Sequence, residues 1–463
     1  MKKIFAAALF FCVLSGLFSQ EYGRGTVLDN GRYEGLPRKA RQISRAYTAL
    51  PSSVSLKAYA PTPGSQGAYG TCTAWATAYA ARTIAESLAL HRTSRARTNA
   101  NVFSPAFVYK NISDDPACMT GTFIGDALDL MRHTGVPKMA AAEKTMDFAA
   151  VPLGLFTNER KYTIAGYATL YFNRTSEGEV SKTAVVKKSL SEGKPVVVGI
   201  ICPDSFANPG KEVWYPPESP DSPAGGHAIC VVGYDDGKYG GAFEIQNSWD
   251  TNWGNDGYIW IPYEVFERFA YHGYELIDNL AAYGEFSEYS GNVQIEVRGS
   301  GGGMPVRFRD GYYQTVNAYP SGTRFRYLLG NDEPAYVYAF AADDSANKTT
   351  MIFPYPGQNV SPVLDYSENL IPFPSENTWI ELDNITGTDY LVVLYSKEAV
   401  DIEAVRRRFE SARGSFPERV AGAVGDDFIP YNRAEYETDA MKFSARSANN
   451  RAVFGLLLAV KHR

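Results

Sequence analysis

The chain has 463 residues, more than one domain usually holds, so two packed units with short extensions are expected. Hydrophobic residues make up 45% and charged residues 21%, an ordinary globular balance that excludes global disorder. The formal net charge is -6, and removing a leader that carries Lys2 and Lys3 but no acid takes it to -8 (-6 minus 2), which argues against a nucleic-acid partner.

In chain order, Met1-Lys2-Lys3 precedes an apolar run over 4–18 and then Ser19-Gln20-Glu21. This is the charged, apolar and small-residue order of a secretory signal peptide, expected to end near Ser19. The run is too short to span a bilayer, which needs roughly 20 residues. The expected location is therefore exported: secreted, periplasmic or at the surface of a bacterial cell. Residues 20–48, rich in Gly, Arg and Lys without a period, are expected to be an exposed lead-in, with order starting near Leu50-Pro51.

The Ala-rich stretch 72–91 predicts a helix that Thr71 or Cys72 opens, Ser104-Pro105 caps a second, and 124–133 forms a third that Gly135 and Pro137 stop. After about residue 160 the pattern changes to strands at 195–201, 227–234, 242–246 and 257–261. Gly-rich 298–303 reads as a turn or linker, followed by strands at 325–329, 335–340, 350–353, 378–382 and 390–395, a charged helix at 401–413 and a last strand at 452–460. That spacing predicts a β-sandwich. The expected organisation is an α+β unit over 49–288, helical subdomain first, and a β-sandwich domain over 289–463.

Cysteine chemistry needs a thiolate, and a helix start lowers a thiol pKa because free backbone N–H groups point at it. Cys72 has that place, although a buried structural cysteine would read the same. Gln66, six residues earlier, can aim an amide at a developing oxyanion. Of five histidines, His91 and His133 sit at helix ends, His272 in a Tyr-rich loop and His462 beside the last residue. His227 differs: it follows Gly225-Gly226 at the start of a strand, where its ring can face a cleft. Asn247, followed by Ser248-Trp249, can orient that ring without adding charge.

Three blocks, QGAYGTCTAW, GGHAICVVGYDD and NSWDTNWGNDGY, occur in the order found in the papain-like cysteine peptidases, which the chain resembles over roughly 49–285. The resemblance implies that Cys72 is the nucleophile and His227 the general base and acid. Asn247 would orient His227, and Gln66 with the Cys72 N–H would form the oxyanion hole. Trp249 would shield the histidine, with Gly121, Gly226 and Ala228 contacting substrate and favouring a bulky apolar side chain. It implies no cofactor and no metal, and a protein or peptide as substrate. The Cys72 to His227 gap of 155 (227 minus 72) slightly exceeds the family's roughly 130 to 150.

Departures are visible as well. Tyr69 stands where the family usually has a disulfide-bonded Cys, Thr73 where an aromatic follows the nucleophile, and Asp250 where a Gly follows Asn-Ser-Trp. With about 30 residues between leader and domain, no inhibitory propeptide of the usual size is expected. Cys230 reads as a core residue, while Cys118 and Cys202 could form a bridge. Residues 292–463 resemble an uncharacterised β domain appended to exported bacterial proteins, a candidate for contact with the cell envelope or a partner. The leading reading is a secreted cysteine endopeptidase. Two alternatives remain open here: a binding or adhesion protein on a peptidase fold, and a peptidase of peptidoglycan cross-links.

Overall fold

The computed structural model describes residues 22–172, 180–278, 287–343, 348–365 and 370–463, so the expected leader lies outside the described residues. The helix expected from Cys72 forms as one rod built of three segments: α-helical Cys72–Ala74, π-helical Trp75–Arg82 and α-helical Thr83–Ala89. Its Ala74, Ala76, Ala78, Ala80 and Ala81 are buried, as an apolar helix running through the middle of a domain must be. Small side chains let the rod sit close against the strands Val196–Cys202 and Gly225–Asp235. Helices Pro105–Ile112, capped by Ser104 with Pro at the first turn, and Ile124–His133 complete the helical side.

The other half of the domain is an antiparallel sheet in the order Ile164–Thr169, Ala270–Asp278, Val196–Cys202, Gly225–Asp235, Ala242–Gln246 and Tyr258–Pro262. Ser53–Ser55 adds to the far end of Gly225–Asp235. The strand Ala270–Asp278 contains His272, which is therefore not in a loop: its ring is buried and stacks on Tyr33 at 4.2 Å. The run Tyr-His-Gly-Tyr reads as a turn in sequence, but both faces of this strand are covered.

From Ser287 onward the chain forms two facing sheets. One orders Ile371–Phe373, Arg324–Gly330, Ser287–Val297, Lys442–Ser447 and Glu435–Tyr436; the other orders Val306–Arg309, Tyr312–Tyr319, Val453–His462, Gly387–Ser396, Ala335–Asp343 and Thr350–Phe353. Val293, Ile295, Tyr327 and Leu329 meet Val337, Leu391, Val393 and Leu456 between them. Gly387–Ser396 carries an unbroken apolar run because its other face is also covered. Val392 and Leu394 pack there against Val405, Phe409 and Val420 of helices Ile402–Ser411 and Phe416–Val424.

The lead-in over 20–48 was expected to be exposed, and the structure corrects this. Asp29 caps a short helix, Asn30–Glu34, whose Tyr33 is buried, donates to Tyr171 O (2.8 Å) and accepts from Gly273 N (3.2 Å). Further on, Ala40, Gln42 and Ile43 are also buried. The segment lacks a period because it follows a groove and a seam instead of forming a regular element.

Candidate active site

Cys72 is the first residue of the central helix, whose start packs against the strand Gly225–Asp235 that carries His227. The imidazole is held by one hydrogen bond, His227 Nε2 to Asn247 Oδ1 at 2.8 Å. Asn247 Oδ1 also accepts from Ser248 N at 2.8 Å, which identifies that atom as the oxygen. His227 must then donate from Nε2, so Nδ1 carries the lone pair, and Nδ1 is buried without a partner. Trp249 lies over the ring, 4.5 Å between centroids, and is itself fully buried.

Gln66 is oriented from behind: its Oε1 accepts from Ser248 Oγ at 2.6 Å, which turns Nε2 toward the cleft. Nε2 donates to Tyr69 O (2.7 Å) and to Gly23 O (3.0 Å). Ser248 was not singled out in the sequence, yet its backbone and hydroxyl orient both Asn247 and Gln66. Its position directly after Asn247 was the available signal.

Gly23 belongs to the N-terminal segment, which runs straight through this cleft. Gly23 O also accepts from Trp249 Nε1 (3.1 Å), and Tyr22 stacks on the same indole at 4.7 Å. Backbone bonds tie the segment to both walls: Thr122 N to Gly25 O (2.7 Å) and Val27 N to Thr122 O (3.0 Å) on one side, Thr26 N to Gly226 O (3.1 Å) on the other. Thr26 Oγ1 stands 3.2 Å from Cys72 Sγ. Gly121 and Gly226, expected to meet substrate, meet this strap instead. A Cβ on Gly121 would stand 2.3 Å from Gly25 O, and one on Gly226 would stand 2.1 Å from Thr26 O, so only glycine permits the approach. Leu28 rests beside Gly226 and Gly199. Ala228 is buried one residue past His227, its backbone beside the Cys72 sulfur.

Covered this way, Cys72 and His227 each have 0% exposure. Burial pushes the Cys72 thiol above its ordinary value, against a smaller opposing effect of the Thr26 hydroxyl. Burial likewise lowers His227 to about 4; the bond to Asn247 opposes this, and the Arg24 cation adds to it. Arg24 is part of the strap and is anchored on Asp204 at 3.0 Å. Both side chains are therefore held neutral near pH 7. Seven residues, 22–28, span the cleft, in a chain for which no propeptide of the usual size was expected.

All four cysteines among the described residues are free, so Cys118 and Cys202 form no bridge. Cys118 takes φ 58, and its loop is tied by the Asp115 carboxylate, which accepts from Ala117, Met119 and Thr120 N.

Residues 64–269 match the family described as papain family cysteine protease, and residues 318–399 match a domain of unknown function, DUF4384. An uncharacterized peptidase C1-like protein of Acanthamoeba polyphaga mimivirus is 27% identical over 213 residues, 43% of this chain and 63% of that protein. The chain thus spans under two thirds of that relative's length. Among solved structures, xylellain, a cysteine protease from Xylella fastidiosa, is 23% identical, covering 56% of this chain and 97% of that one, with a TM-score of 0.43. A digestive procathepsin L2 proteinase of Tenebrio molitor is 16% identical, covering 57% and 81%, with a TM-score of 0.44. Residues 64–269 of this chain are a papain-family cysteine protease domain, followed by a DUF4384 domain.

Proposed function

We propose that the chain is an exported cysteine endopeptidase, held closed until residues 22–28 leave the cleft. In the open state Cys72 Sγ attacks a peptide carbonyl as its proton passes to His227 Nδ1, forming a C–S bond. Gln66 Nε2 and the Cys72 N–H stabilise the oxyanion. His227 then returns the proton to the leaving amine as the C–N bond breaks, and a water deprotonated by His227 hydrolyses the acyl-enzyme to release the acid and the thiol. Asn247 keeps the ring in the tautomer that leaves Nδ1 basic, and Trp249 excludes water from it.

The observation that carries this reading is the fixed tautomer of His227: Nε2–H is spent on Asn247, and Nδ1 is unpartnered in the same buried site as a helix-start cysteine. Leu28 beside Gly226 supports a bulky apolar side chain as the preferred occupant of that pocket. Export rests on the leader over 1–19, and contact of the C-terminal domain with an envelope component rests on its resemblance to domains of exported proteins. Cleavage of casein but not of purified sacculi, lost on Cys72→Ala, is the expected result. Cleavage of sacculi alone would make cross-link peptides the substrate, and unchanged turnover in the variant would end the assignment.

A further inference from the structure

The strap that fills the cleft continues past it, and its second half joins two domains. Arg38 pairs on one side with Thr169 of the peptidase sheet and on the other with Val360 of the C-terminal domain. The backbone bonds are Lys39 N to Thr169 O (2.9 Å) and Thr169 N to Pro37 O (2.8 Å) toward the first, and Arg38 N to Asn359 O (2.6 Å) and Ser361 N to Arg38 O (2.8 Å) toward the second. Asn359 Nδ2 also donates to Gly35 O (2.6 Å), and Ile43 N to Leu370 O (3.1 Å). The Glu376 carboxylate accepts from both Ser44 N (2.9 Å) and Ser44 Oγ (2.6 Å). Ala40 is packed within the hydrophobic core of the C-terminal domain, among Tyr289, Val360 and Leu364.

A buried ionic cluster sits at the same seam. Lys39 of the strap pairs with Glu275 of the peptidase sheet at 2.5 Å, and Lys194 joins Glu275 (3.6 Å) to Asp365 of the C-terminal domain (2.7 Å). Breaking one partner of such a cluster strands a buried charge, so strap, peptidase and C-terminal domain are energetically linked at this point. The seam is continuous with the cleft through Asn30–Glu34, whose Tyr33 is locked against His272.

We propose that the C-terminal domain is an intramolecular clamp: it grips residues 35–44 and thereby keeps residues 22–28 on Cys72. This rests on the reading of Cys72 as the reactive thiol. The domain then controls access to the active site, and whatever loosens its hold on residues 35–44 opens the cleft without any change in the cleft itself. The strap's remaining covalent link to the peptidase domain runs through 48–52, which is largely exposed, so the two modes of attachment can be separated.

The experiment places a site-specific protease sequence between residues 48 and 50 of the full chain and nicks it. Strap retention is followed by gel filtration with intact mass, and Cys72 access by the rate of iodoacetamide labelling. With the seam intact, the nicked strap stays bound and labelling stays slow. In a nicked Asn359→Ala/Glu376→Ala chain, with circular dichroism showing both domains folded, the strap leaves and labelling rises tenfold or more. Retention with slow labelling in that double variant overturns the clamp, as does loss of the strap from the nicked chain with its seam intact. A nicked Asn359→Ala/Glu376→Ala chain that also carries Cys72→Ala is the control: if it is labelled as fast as the chain that keeps Cys72, the assignment of the thiol fails and not the clamp.

Discussion

Gly25→Ala perturbs the strap without altering any residue of the peptidase domain. A Cβ at Gly25 would stand 2.3 Å from Gly70 O and 2.6 Å from both Gly70 C and Gly70 Cα. These are backbone atoms in the turn that leads into Cys72, so the strap must move. Moving it breaks the bonds Thr122 N to Gly25 O, Val27 N to Thr122 O and Thr26 N to Gly226 O. At about 0.5–1.5 kcal/mol each, their loss shifts the closed state by about 1.5–4.5 kcal/mol, roughly tenfold to a thousandfold in the open population. The assay is the rate of Cys72 carboxymethylation at pH 7.5, read by intact mass against the parent chain. An unchanged rate, with folding intact, would show that residues 22–28 do not gate Cys72 in solution.

Other consequences can be checked independently. His227 titrates near 4 when covered and at 6.5 ordinarily, so between those values the open state binds more protons. The closed strap is fully favoured above about 6.5 and loses about 1.4 kcal/mol per pH unit as pH falls toward 4. Protection of the Thr26 and Val27 amides from hydrogen exchange, corrected for intrinsic rates, should fall tenfold or more from pH 7 to pH 5; constant protection would contradict the burial argument. Asn247→Ala strands a buried donor on His227, at a cost of about 1–3 kcal/mol, so kcat of the opened enzyme should fall about ten- to a hundredfold with KM little changed. Parent-like kcat would remove Asn247 from the mechanism. Because Cys72, Cys118, Cys202 and Cys230 are all free, a mild reductant should leave Tm unchanged, and a fall in Tm would reveal a bridge.

The parts legible in sequence were those whose chemistry is local. Cys72 at a helix start, His227 behind paired glycines and Asn247 before Ser-Trp are short blocks, and the fold brings them together through one helix and adjacent strands. The strap was not legible because its fit depends on partners far along the chain: Gly25 against Gly70 and Gly121, and Thr26 against Gly226. In isolation Gly23-Arg24-Gly25-Thr26 looks like a flexible lead-in. His272 was placed in a loop because its neighbours are Gly and Tyr, whereas its burial comes from Tyr33, some 240 residues earlier. The π-helical middle of the central helix leaves no mark in an Ala-rich run that suits either winding.

The central claim is that Cys72, served by His227, cleaves peptide bonds once the strap is displaced. The most direct measurement compares hydrolysis of a fluorogenic peptide bearing a leucine for the Gly226 pocket by the Gly25→Ala chain and by the same chain carrying Cys72→Ala. Turnover in the first that vanishes in the second, with matching circular dichroism, is the predicted result. Equal hydrolysis by the two, or none by a Gly25→Ala chain whose Cys72 a separate sample shows to be open to iodoacetamide, would contradict it.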